Sequence, residues 1–431
     1  MEQLTVQETV NNGLCCGCGV CKGICPRACI SWKKEHGLYI PLIDNVKCIR
    51  CGLCSRVCPG LGHAYPPGYP AVDAVTGTVL SCYTAWSRDA RLRHVGASGG
   101  VVSTVIRELL SAGSYDGAFC LDSYDYREQL QTRLYSAREV ASCWEQSTTP
   151  KSRYLPVSHE CAVAYMKSHP SARLILVGTS CAVRGLRAAA ETLRLDPEQY
   201  LFLGLFCDKV FNYNILPYFE DTCAEGAPLK ALHFKNKESG GWPGDLKLYP
   251  ETGQPFFVSK KERERAKPYF MPERCLYCVD KLNVCADISL GDNYTGKEDS
   301  ALGSNSVIIR TRKGLAAWDA ARKALEIRDS SIDDIRNGKY LDGRMHNLYF
   351  SDAKTAETRS GIDLNTGIPR NSDFRGYLSA WNACRNQLLT GALYEEDPDS
   401  LKKQIRRDSK RPNPVIRFFK RGLRYIKRGL K

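Results

Sequence analysis

Short apolar runs alternate with amphipathic segments along most of the chain after residue 78. One helix is predicted after residue 100, because a stripe of aliphatic residues recurs there at helical spacing: Val101, Val105, Ile106, Leu109 and Leu110. Apolar runs bounded by turn signals predict buried strands at 79–86, 118–121, 174–177, 201–206, 288–290 and 307–309. Strands interleaved with helices predict an α/β domain over 79–320, followed by a helical part over 321–400.

The N-terminal segment has a different pattern, because ten of its first 58 residues are cysteine. Eight of them form two copies of one spacing, Cys15-x2-Cys18-x2-Cys21-x3-Cys25-Pro26 and Cys48-x2-Cys51-x2-Cys54-x3-Cys58-Pro59. In two-cluster bacterial ferredoxins with this spacing, three ligands of each 4Fe-4S cluster come from one run and the fourth from the other. The spacing therefore predicts one cluster at Cys15, Cys18, Cys21 and Cys58, and a second at Cys48, Cys51, Cys54 and Cys25.

Two other kinds of site fit this segment less well. A zinc ribbon uses pairs of CxxC, and a disulfide scaffold needs an oxidising compartment. We therefore predict a ferredoxin-like α+β dicluster module at 1–62, with an antiparallel hairpin between its cysteine runs, and a linker rich in proline and glycine at 63–78. Cys16 and Cys29 fall outside the spacing and are expected to pack as small apolar residues.

The composition is that of a globular protein with several domains: 431 residues, 43% hydrophobic and 25% charged. No apolar run approaches the length that spans a bilayer, and the first sixteen residues lack the basic and apolar regions of a signal peptide. Twenty-one cysteines without such a signal favour a reducing cytoplasm and metal binding.

A second group of cysteines occurs in the α/β domain. Cys181 and Cys207 each follow an apolar strand, and Cys275 and Cys278 form a CxxC before another. Ligands gather beyond the carboxyl ends of parallel strands, so these four are candidates for a third 4Fe-4S site. The alternative is that Cys181 and Cys207 are packing residues. Cys285 is a substitute ligand candidate, and the remaining cysteines are expected to be structural: Cys82, Cys120, Cys143, Cys161, Cys223 and Cys384.

Two segments could hold a phosphate. Ser98, Gly99 and Gly100 precede the helix predicted after residue 100, where backbone N–H groups and the helix dipole favour an anion. The segment 149–154 offers cations, with Lys151 at its centre, that could neutralise a diphosphate. The alternatives are an ordinary turn and a solvated loop, and the chain contains no GxGxxG fingerprint.

The order of these motifs resembles the family of coenzyme F420 hydrogenase/dehydrogenase beta subunits over residues 10 to 320. The resemblance rests on SGG before a helix, KSRY, VGTSC, LFCD and CLYC…ADISLGD, all behind the paired cysteine runs. It implies that the chain binds FAD as well as iron–sulfur clusters, with Ser98, Gly99 and Gly100 around the FAD diphosphate and Lys151 nearby. It also implies a cluster near the flavin, with Cys181, Cys207, Cys275 and Cys278 as the candidate ligands. Ser180 departs from the family pattern, where a proline more usually precedes the cysteine.

The C-terminal tail, predicted at 401–431, carries most of the charge. Residues 402–431 contain thirteen Lys or Arg and one acid, so they supply +12 of the total of +14. On a helical wheel its apolar residues share one face, Ile416, Phe419, Leu423, Ile426 and Leu430, and its basic residues gather on an adjoining face. This pattern predicts peripheral contact with an anionic inner membrane surface. The alternative partners are the protein's own body and nucleic acid, and we expect no nucleic acid because the body has no matching motif.

The sequence thus predicts an iron–sulfur flavoprotein oxidoreductase. Single electrons from a ferredoxin-type partner enter at the paired cysteine runs, and an unidentified organic substrate exchanges two electrons at FAD. The catalytic residues are unknown, although Asp208, Asp292 and Tyr154 are polar groups in suitable places. The alternative function is a non-catalytic electron-transfer subunit that connects a partner enzyme to the ferredoxin pool.

Overall fold

The computed structural model describes residues 4–61, 75–121, 128–144, 152–338, 341, 347, 350–351, 353–354 and 374–409. Most of the linker predicted at 63–78 lies outside the described residues, as do Lys151, the side chain of Cys143 and the basic tail beyond Ser409. Among the residues described, no helix is long and apolar enough to cross a membrane.

The cysteine-rich N-terminal segment consists of short helices around one hairpin. Its helices are α1 (Gln7–Asn11), α2 (Val20–Ile24) and α3 (Leu53–Arg56), followed by a 3-10 turn at Pro59–Leu61. The strands β1 (Ile30–Glu35) and β2 (Leu38–Ile43) pair antiparallel, with Ile30 opposite Ile43 and Glu35 opposite Leu38. The expected hairpin is therefore present between the two cysteine runs.

The rest of the chain is built on a large mixed sheet and a small antiparallel one. Its strands are β3 (Ser81–Ser87), β4 (Gly117–Leu121), β5 (Leu130–Tyr135), β6 (Val157–Ser158), β7 (Leu174–Thr179), β8 (Tyr200–Leu205), β9 (Leu229–Asn236), β10 (Asp245–Pro250), β11 (Phe256–Val258), β12 (Ile288–Asp292), β13 (Asn305–Ile309) and β14 (Leu325–Ser330). The large sheet has the order β14-β3-β13-β12-β8-β7-β4-β5-β6, and the small one has the order β11-β10-β9. The strand candidates from the sequence all fall in the large sheet.

The middle of the large sheet is parallel. Strands β4, β7, β8 and β12 run in one direction. Strand β3 shares that direction, because it is antiparallel to β13, which is antiparallel to β12. The carboxyl ends of these five strands therefore meet at one edge, which we call the carboxyl edge. The segments that follow β3, β7 and β8 carry Ser98, Cys181 and Cys207.

The described residues of this part of the chain also form helices. They are α4 (Ala90–Val95), α5 (Val101–Ser111), α6 (Ala137–Cys143), α7 (Glu160–Ser168), α8 (Ser180–Thr192), α9 (Ile215–Cys223), α10 (Lys260–Ala266), α11 (Arg312–Ala321), α12 (Ile332–Gly338), α13 (Phe374–Ala392) and α14 (Pro398–Ser409), with 3-10 turns at Pro197–Gln199, Glu273–Leu276 and Arg322–Ala324. Ile175 and Leu203 point to the core under α5 and α11, whereas Leu176 and Phe202 point to the core under α7 and α8. This alternation is the period of two expected of strands buried on both faces.

The N-terminal segment packs against the α7 and α8 side of the sheet. A Cβ added at Gly23 would lie 2.6 Å from the carbonyl oxygen of Glu160, so α2 approaches α7 at backbone distance. The Glu160 carboxylate also accepts hydrogen bonds from Lys22 at 2.8 Å and from the indole of Trp32 at 2.7 Å. One carboxylate thus ties α2 and β1 to the large domain.

Two parts of the fold differ from the sequence expectation. Residues 321–400 are not wholly helical, because Leu325–Ser330 forms β14 at the edge of the large sheet. This strand is half exposed, so it lacks the apolar run that identifies a buried strand. The small sheet β9–β11 was not predicted, because its strands carry lysines and polar residues between their apolar positions.

Candidate redox site

The four cysteines of the first predicted set, Cys15, Cys18, Cys21 and Cys58, lie close together in the N-terminal segment. Burial, together with the neighbouring Cys58, raises the pKa of the Cys15 thiol to about 12. Burial likewise raises the pKa of Cys21, with Cys58 and Cys15 as its nearest charge neighbours, and Cys18 faces both Cys21 and Cys58. Four sulfurs crowded together away from water are unfavourable as free thiolates and are stabilised by a bound cationic metal centre. The donor set therefore fits the predicted cluster.

The second predicted set lines a small cavity of about 20 Å³. Its walls include Cys25, Cys48, Cys51 and Cys54, together with the unassigned Cys29. Although burial acts in the opposite direction, backbone N–H groups of Cys29, Arg27 and Ala28 lower the pKa of Cys25. Hydrogen bonds from backbone N–H groups favour a thiolate, the form that binds iron.

The two sets are built as a structural repeat with an offset of 33 residues. The Gly17 N–H points at Cys15 Sγ at 3.4 Å, and the Arg50 N–H points at Cys48 Sγ at the same distance. Gly17 and Arg50 both have positive φ, and so do Gly19 and Gly52 two residues later. The repeated backbone conformation aims N–H groups at the sulfurs of each set, which is the environment that iron–sulfur ligands require.

The described residues contain no group of three or more His, Cys, Asp or Glu side chains placed to hold a metal ion. A single ion draws its ligands close together, at about 2.3 Å for each metal–sulfur bond. A 4Fe-4S cube instead separates the four sulfurs, because each binds a different iron.

The cysteines of the third group lie around the segment 278–281, some of them closer to it than others. The Ser180 hydroxyl donates to the carbonyl oxygen of Asp280 at 2.8 Å, which brings Cys181 to this segment. The backbone N–H of Cys207 donates to the carbonyl oxygen of Lys281 at 2.9 Å, and Cys278 Sγ lies 3.8 Å from the Asp280 carbonyl oxygen. Cys181, Cys207 and Cys278 thus share one neighbourhood at the carboxyl edge.

Cys275 and Cys285 flank that neighbourhood, and they pack in two different cores. Cys275 is on the 3-10 turn Glu273–Leu276 and packs against the core that contains Cys21 and Cys58. Cys285 is fully buried in the core under α7 and α8, where burial raises the pKa of its thiol to about 12. Its surroundings are those of a packing residue.

Cys16, which the sequence suggested was a packing residue, has a more specific environment. Its thiol hydrogen-bonds with Cys181 and with Cys18. Cys16 thereby joins the first cysteine set to the start of α8. The spacing of the runs could not indicate this contact, because Cys181 lies far along the chain.

The Ser98-Gly99-Gly100 turn lies at the carboxyl edge, directly before α5. Gly100 has φ +78° and is the residue before the first helical one, and a Cβ at Gly99 would lie 2.8 Å from the carbonyl oxygen of Ala85. The Ser98 hydroxyl donates to the carbonyl oxygen of Ser304 at 2.6 Å. The turn is therefore pinned to the ends of β3 and β13.

Lys237 holds this turn through hydrogen bonds. This lysine was not predicted from the sequence. Its buried ammonium donates to the carbonyl oxygens of Arg93 at 2.6 Å, Ser98 at 2.8 Å and Leu302 at 2.7 Å. No motif marks this lysine in the sequence, because it directly follows β9 of the unpredicted small sheet. A buried cation next to the turn also favours an anionic ligand there.

An open cavity of about 520 Å³ lies beside the turn. It is lined by Trp242, Asn293, Tyr294, Gly296, Asp299, Ser300 and Ala301. The rings of Trp242 and Tyr294 lie 5.0 Å apart, and a Cβ at Gly303 would touch both Trp242 and the Ser98 hydroxyl. A cavity of this size with aromatic walls suits a planar ring system, so the residues present fit a flavin.

The three polar residues singled out in the sequence all have basic partners. Asp292, at the end of β12, forms a buried ion pair with Lys235, and the Lys235 ammonium lies 5.8 Å from the Tyr154 ring centre. Asp208 pairs with Lys267 at 2.7 Å and with Lys281 at 3.2 Å. The lysines at the carboxyl edge thus hold these two carboxylates in ion pairs.

Comparison with known proteins identifies the family of this chain. Residues 82–159 match the family model for the N-terminal part of the coenzyme F420 hydrogenase/dehydrogenase beta subunit, and residues 171–335 match the model for its C-terminal part. The chain belongs to the family of coenzyme F420 hydrogenase/dehydrogenase beta subunits. Members of this family are parts of oxidoreductases, and the chain is an oxidoreductase of this type.

Individual relatives within this family of beta subunits are distant in sequence. One subunit of the F(420)H(2) dehydrogenase of Methanosarcina mazei is 24% identical over 79% of this chain and 90% of its own length. The beta subunit of the coenzyme F420 hydrogenase of Methanosarcina barkeri is 23% identical over 69% of this chain and 97% of its own length. The coenzyme F420-dependent sulfite reductase of Methanocaldococcus jannaschii is 24% identical over 79% of this chain and 51% of its own length.

A solved structure shares the fold of this member of the family. It is a chain of the F420-reducing [NiFe] hydrogenase complex from Methanosarcina barkeri, with a TM-score of 0.50 and 20% identity. The match covers 68% of this chain and 98% of that one. The mixed α/β fold with its large sheet is thus a shared architecture.

Proposed function

We propose that the chain is an iron–sulfur flavoprotein oxidoreductase with the domain division expected from the sequence. The ferredoxin-like segment at 1–62 binds two 4Fe-4S clusters, and the domain at 79–320 binds FAD at the turn of Ser98, Gly99 and Gly100. The observation that carries this proposal is the packing of buried cysteine thiols around Cys58, in contact with the domain that holds the glycine turn.

The chain's own residues have three tasks in this function. The cysteine sets hold the clusters, and the N–H groups of Gly17 and Arg50 stabilise the negative sulfurs. Lys237 fixes the turn that receives the flavin diphosphate. Bound clusters supply one-electron carriers and a bound flavin links them to two-electron chemistry.

Contacts between the cysteine groups give the proposed order of electron transfer. Cys54 of the second set is a charge neighbour of Cys21 of the first, and Cys16 joins the first set to Cys181 at the carboxyl edge. With clusters and flavin bound, electrons would pass from the second set through the first to the third group, and from there to the flavin. The third group binds its own cluster through Cys181, Cys207, Cys275 and Cys278.

We infer that the electron partner docks beside the second set. Val46 is 97% exposed and Ile49 is 60% exposed, on the loop that leads into Cys48 and Cys51. Exposed apolar residues beside a redox centre suit a transient partner. This role suits a ferredoxin-type protein or another polypeptide of the same assembly, since the solved neighbour comes from a multi-subunit complex.

The organic substrate meets the flavin at the lysine-rich carboxyl edge. The names of the relatives make coenzyme F420 the first two-electron substrate to test. The basic tail at 401–431 adds peripheral contact with an anionic membrane. Deletion of 410–431 should abolish binding to anionic vesicles, and unchanged binding would rule out this role.

The test is iron and flavin quantitation on anaerobically reconstituted protein. We expect bound FAD and about twelve iron atoms per chain, or about eight if only the two ferredoxin-type clusters form. The Cys181→Ala variant should lose about four irons, whereas Cys161→Ala, which changes an exposed cysteine, should lose none. Protein that holds iron but binds no flavin would instead support the role of a non-catalytic electron-transfer subunit.

A further inference from the structure

The second cysteine set contains one thiol more than a cluster needs. Cys29 Sγ lies 3.4 Å from Cys25 Sγ, and the Cys29 thiol also hydrogen-bonds with Cys48. Both Cys25 and Cys29 line the small cavity described above, with Cys48, Cys51 and Cys54 on its other walls. Five sulfurs therefore surround a site that uses four.

Cys29 is held in this position by its backbone. It is buried, at 5% exposure, and directly precedes β1. Its carbonyl oxygen accepts a hydrogen bond from the Asp44 N–H at 2.8 Å, which closes the end of the hairpin. Because the hairpin fixes the main chain, the thiol stays within reach of the site.

The first cysteine set lacks this arrangement. Cys58 occupies the position equivalent to Cys25 in the repeat, and the residue four positions later is Gly62 instead of a cysteine. The Cys58 sulfur has the Thr9 hydroxyl as its neighbour, at 3.3 Å. The repeat therefore offers an internal comparison between Cys25, which has a second thiol beside its sulfur, and Cys58, whose sulfur has a hydroxyl there.

We propose that Cys29 is an alternative ligand for the iron that Cys25 holds in the second cluster, an inference that rests on the proposed function. When the ligands exchange, the Cys29 thiol releases its proton as its sulfur binds iron, and the departing Cys25 sulfur takes up a proton. No electron is gained or lost. The second cluster thus survives the loss of Cys25, whereas the first does not survive the loss of Cys58.

The experiment compares iron content and the electron paramagnetic resonance spectrum of anaerobically reduced, reconstituted full-length variants. Cys25→Ala should keep the wild-type iron content with an altered spectrum, because one ligand has changed. Cys25→Ala/Cys29→Ala should lose about four irons, and so should the matched control Cys58→Ala. Cys29→Ala alone should keep the wild-type iron content.

Two results would overturn the proposal. One is a loss of about four irons from Cys25→Ala, equal to that of Cys58→Ala. The other is the same iron content in Cys25→Ala and the double variant, which would mean that Cys29 does not replace the ligand. The signal of the unaltered cluster, which is the first cluster in the Cys25 and Cys29 variants and the second in Cys58→Ala, reports whether a variant has folded. Failure of the proposed function has a separate signature, because wild-type protein would then hold no cluster.

Discussion

The Lys237 ammonium donates a hydrogen bond to the carbonyl oxygen of Ser98 at 2.8 Å, and both residues are buried. One side chain thus sets the position of the turn in which we place the flavin diphosphate. Replacing it tests both the fold of the turn and the flavin site.

We expect Lys237→Met to destabilise the protein and to reduce bound flavin. The change leaves three carbonyl oxygens without their donor, which should lower the free energy of unfolding by about 2–3 kcal/mol. The measurements are denaturant unfolding and the ratio of flavin to protein. Lys230→Met, at an exposed position on β9, is the control and should change neither. A wild-type ratio of flavin to protein in Lys237→Met would mean that this turn does not hold the flavin.

The second prediction concerns acid stability. The N–H of His159 donates to the carbonyl oxygen of Cys18 at 2.8 Å, and its side chain is buried, with no hydrogen-bond partner for Nδ1 among the described residues. Burial lowers the pKa of His159 to about 4. The unfolded chain therefore binds a proton near pH 6.5, which the folded chain does not bind until about pH 4.

Stability should accordingly fall as the pH decreases from about 6.5 towards 4, by up to about 1.4 kcal/mol per pH unit from this group. His159→Leu should remove that part of the slope when unfolding is measured over this range. His169→Leu, at an exposed histidine just after α7, should keep it. Equal slopes in all three proteins would show that His159 does not carry the effect.

The third prediction concerns the loop that carries the CxxC. The Tyr277 hydroxyl donates to Glu273 at 2.5 Å and accepts from the indole of Trp381 at 3.4 Å. Tyr277→Phe should lower the free energy of unfolding by about 1–1.5 kcal/mol and speed the chelator-induced loss of iron from the third group.

The matched control is Tyr394→Phe, which breaks a buried tyrosine–carboxylate bond to Asp221, also 2.5 Å long, away from the CxxC. It should destabilise the protein to a similar extent without faster iron loss. If both variants release iron at the same rate, the Tyr277 bond has only a general role in stability.

The fourth prediction tests the docking surface. Val46→Asp places a charge on an apolar, fully exposed position, so the fold and the iron content should not change. With a reduced ferredoxin-type donor, we expect KM for that donor to rise several-fold while kcat stays near the wild-type value. Leu389→Asp, at an exposed leucine on α13, should leave KM unchanged. A wild-type KM in Val46→Asp would rule out this face as the entry point.

The parts of the fold that sequence predicts well are those with a strict local spacing. The repeat around Cys15 and Cys48 and the buried strands at 174–179 and 200–205 are of this kind, since period and spacing are local properties. The contact of Cys16 with Cys181 and the role of Lys237 depend on packing between distant segments. No local pattern encodes such contacts, and half-exposed β14 lacks even the apolar run that identifies a buried strand.

The segment 273–278 is held by residues from much later in the chain. Asn347 donates to the Cys278 carbonyl oxygen at 2.6 Å, Ser351 donates to that of Tyr277 at 3.1 Å, and Arg385 pairs with Glu273 at 3.2 Å. During synthesis, the N-terminal cysteine runs emerge from the ribosome first. The CxxC segment can form these contacts only after its later partners have been synthesised. The native packing of this segment is therefore completed only after the C-terminal helices have been made, and the same helices also pack in the core around Cys21 and Cys58.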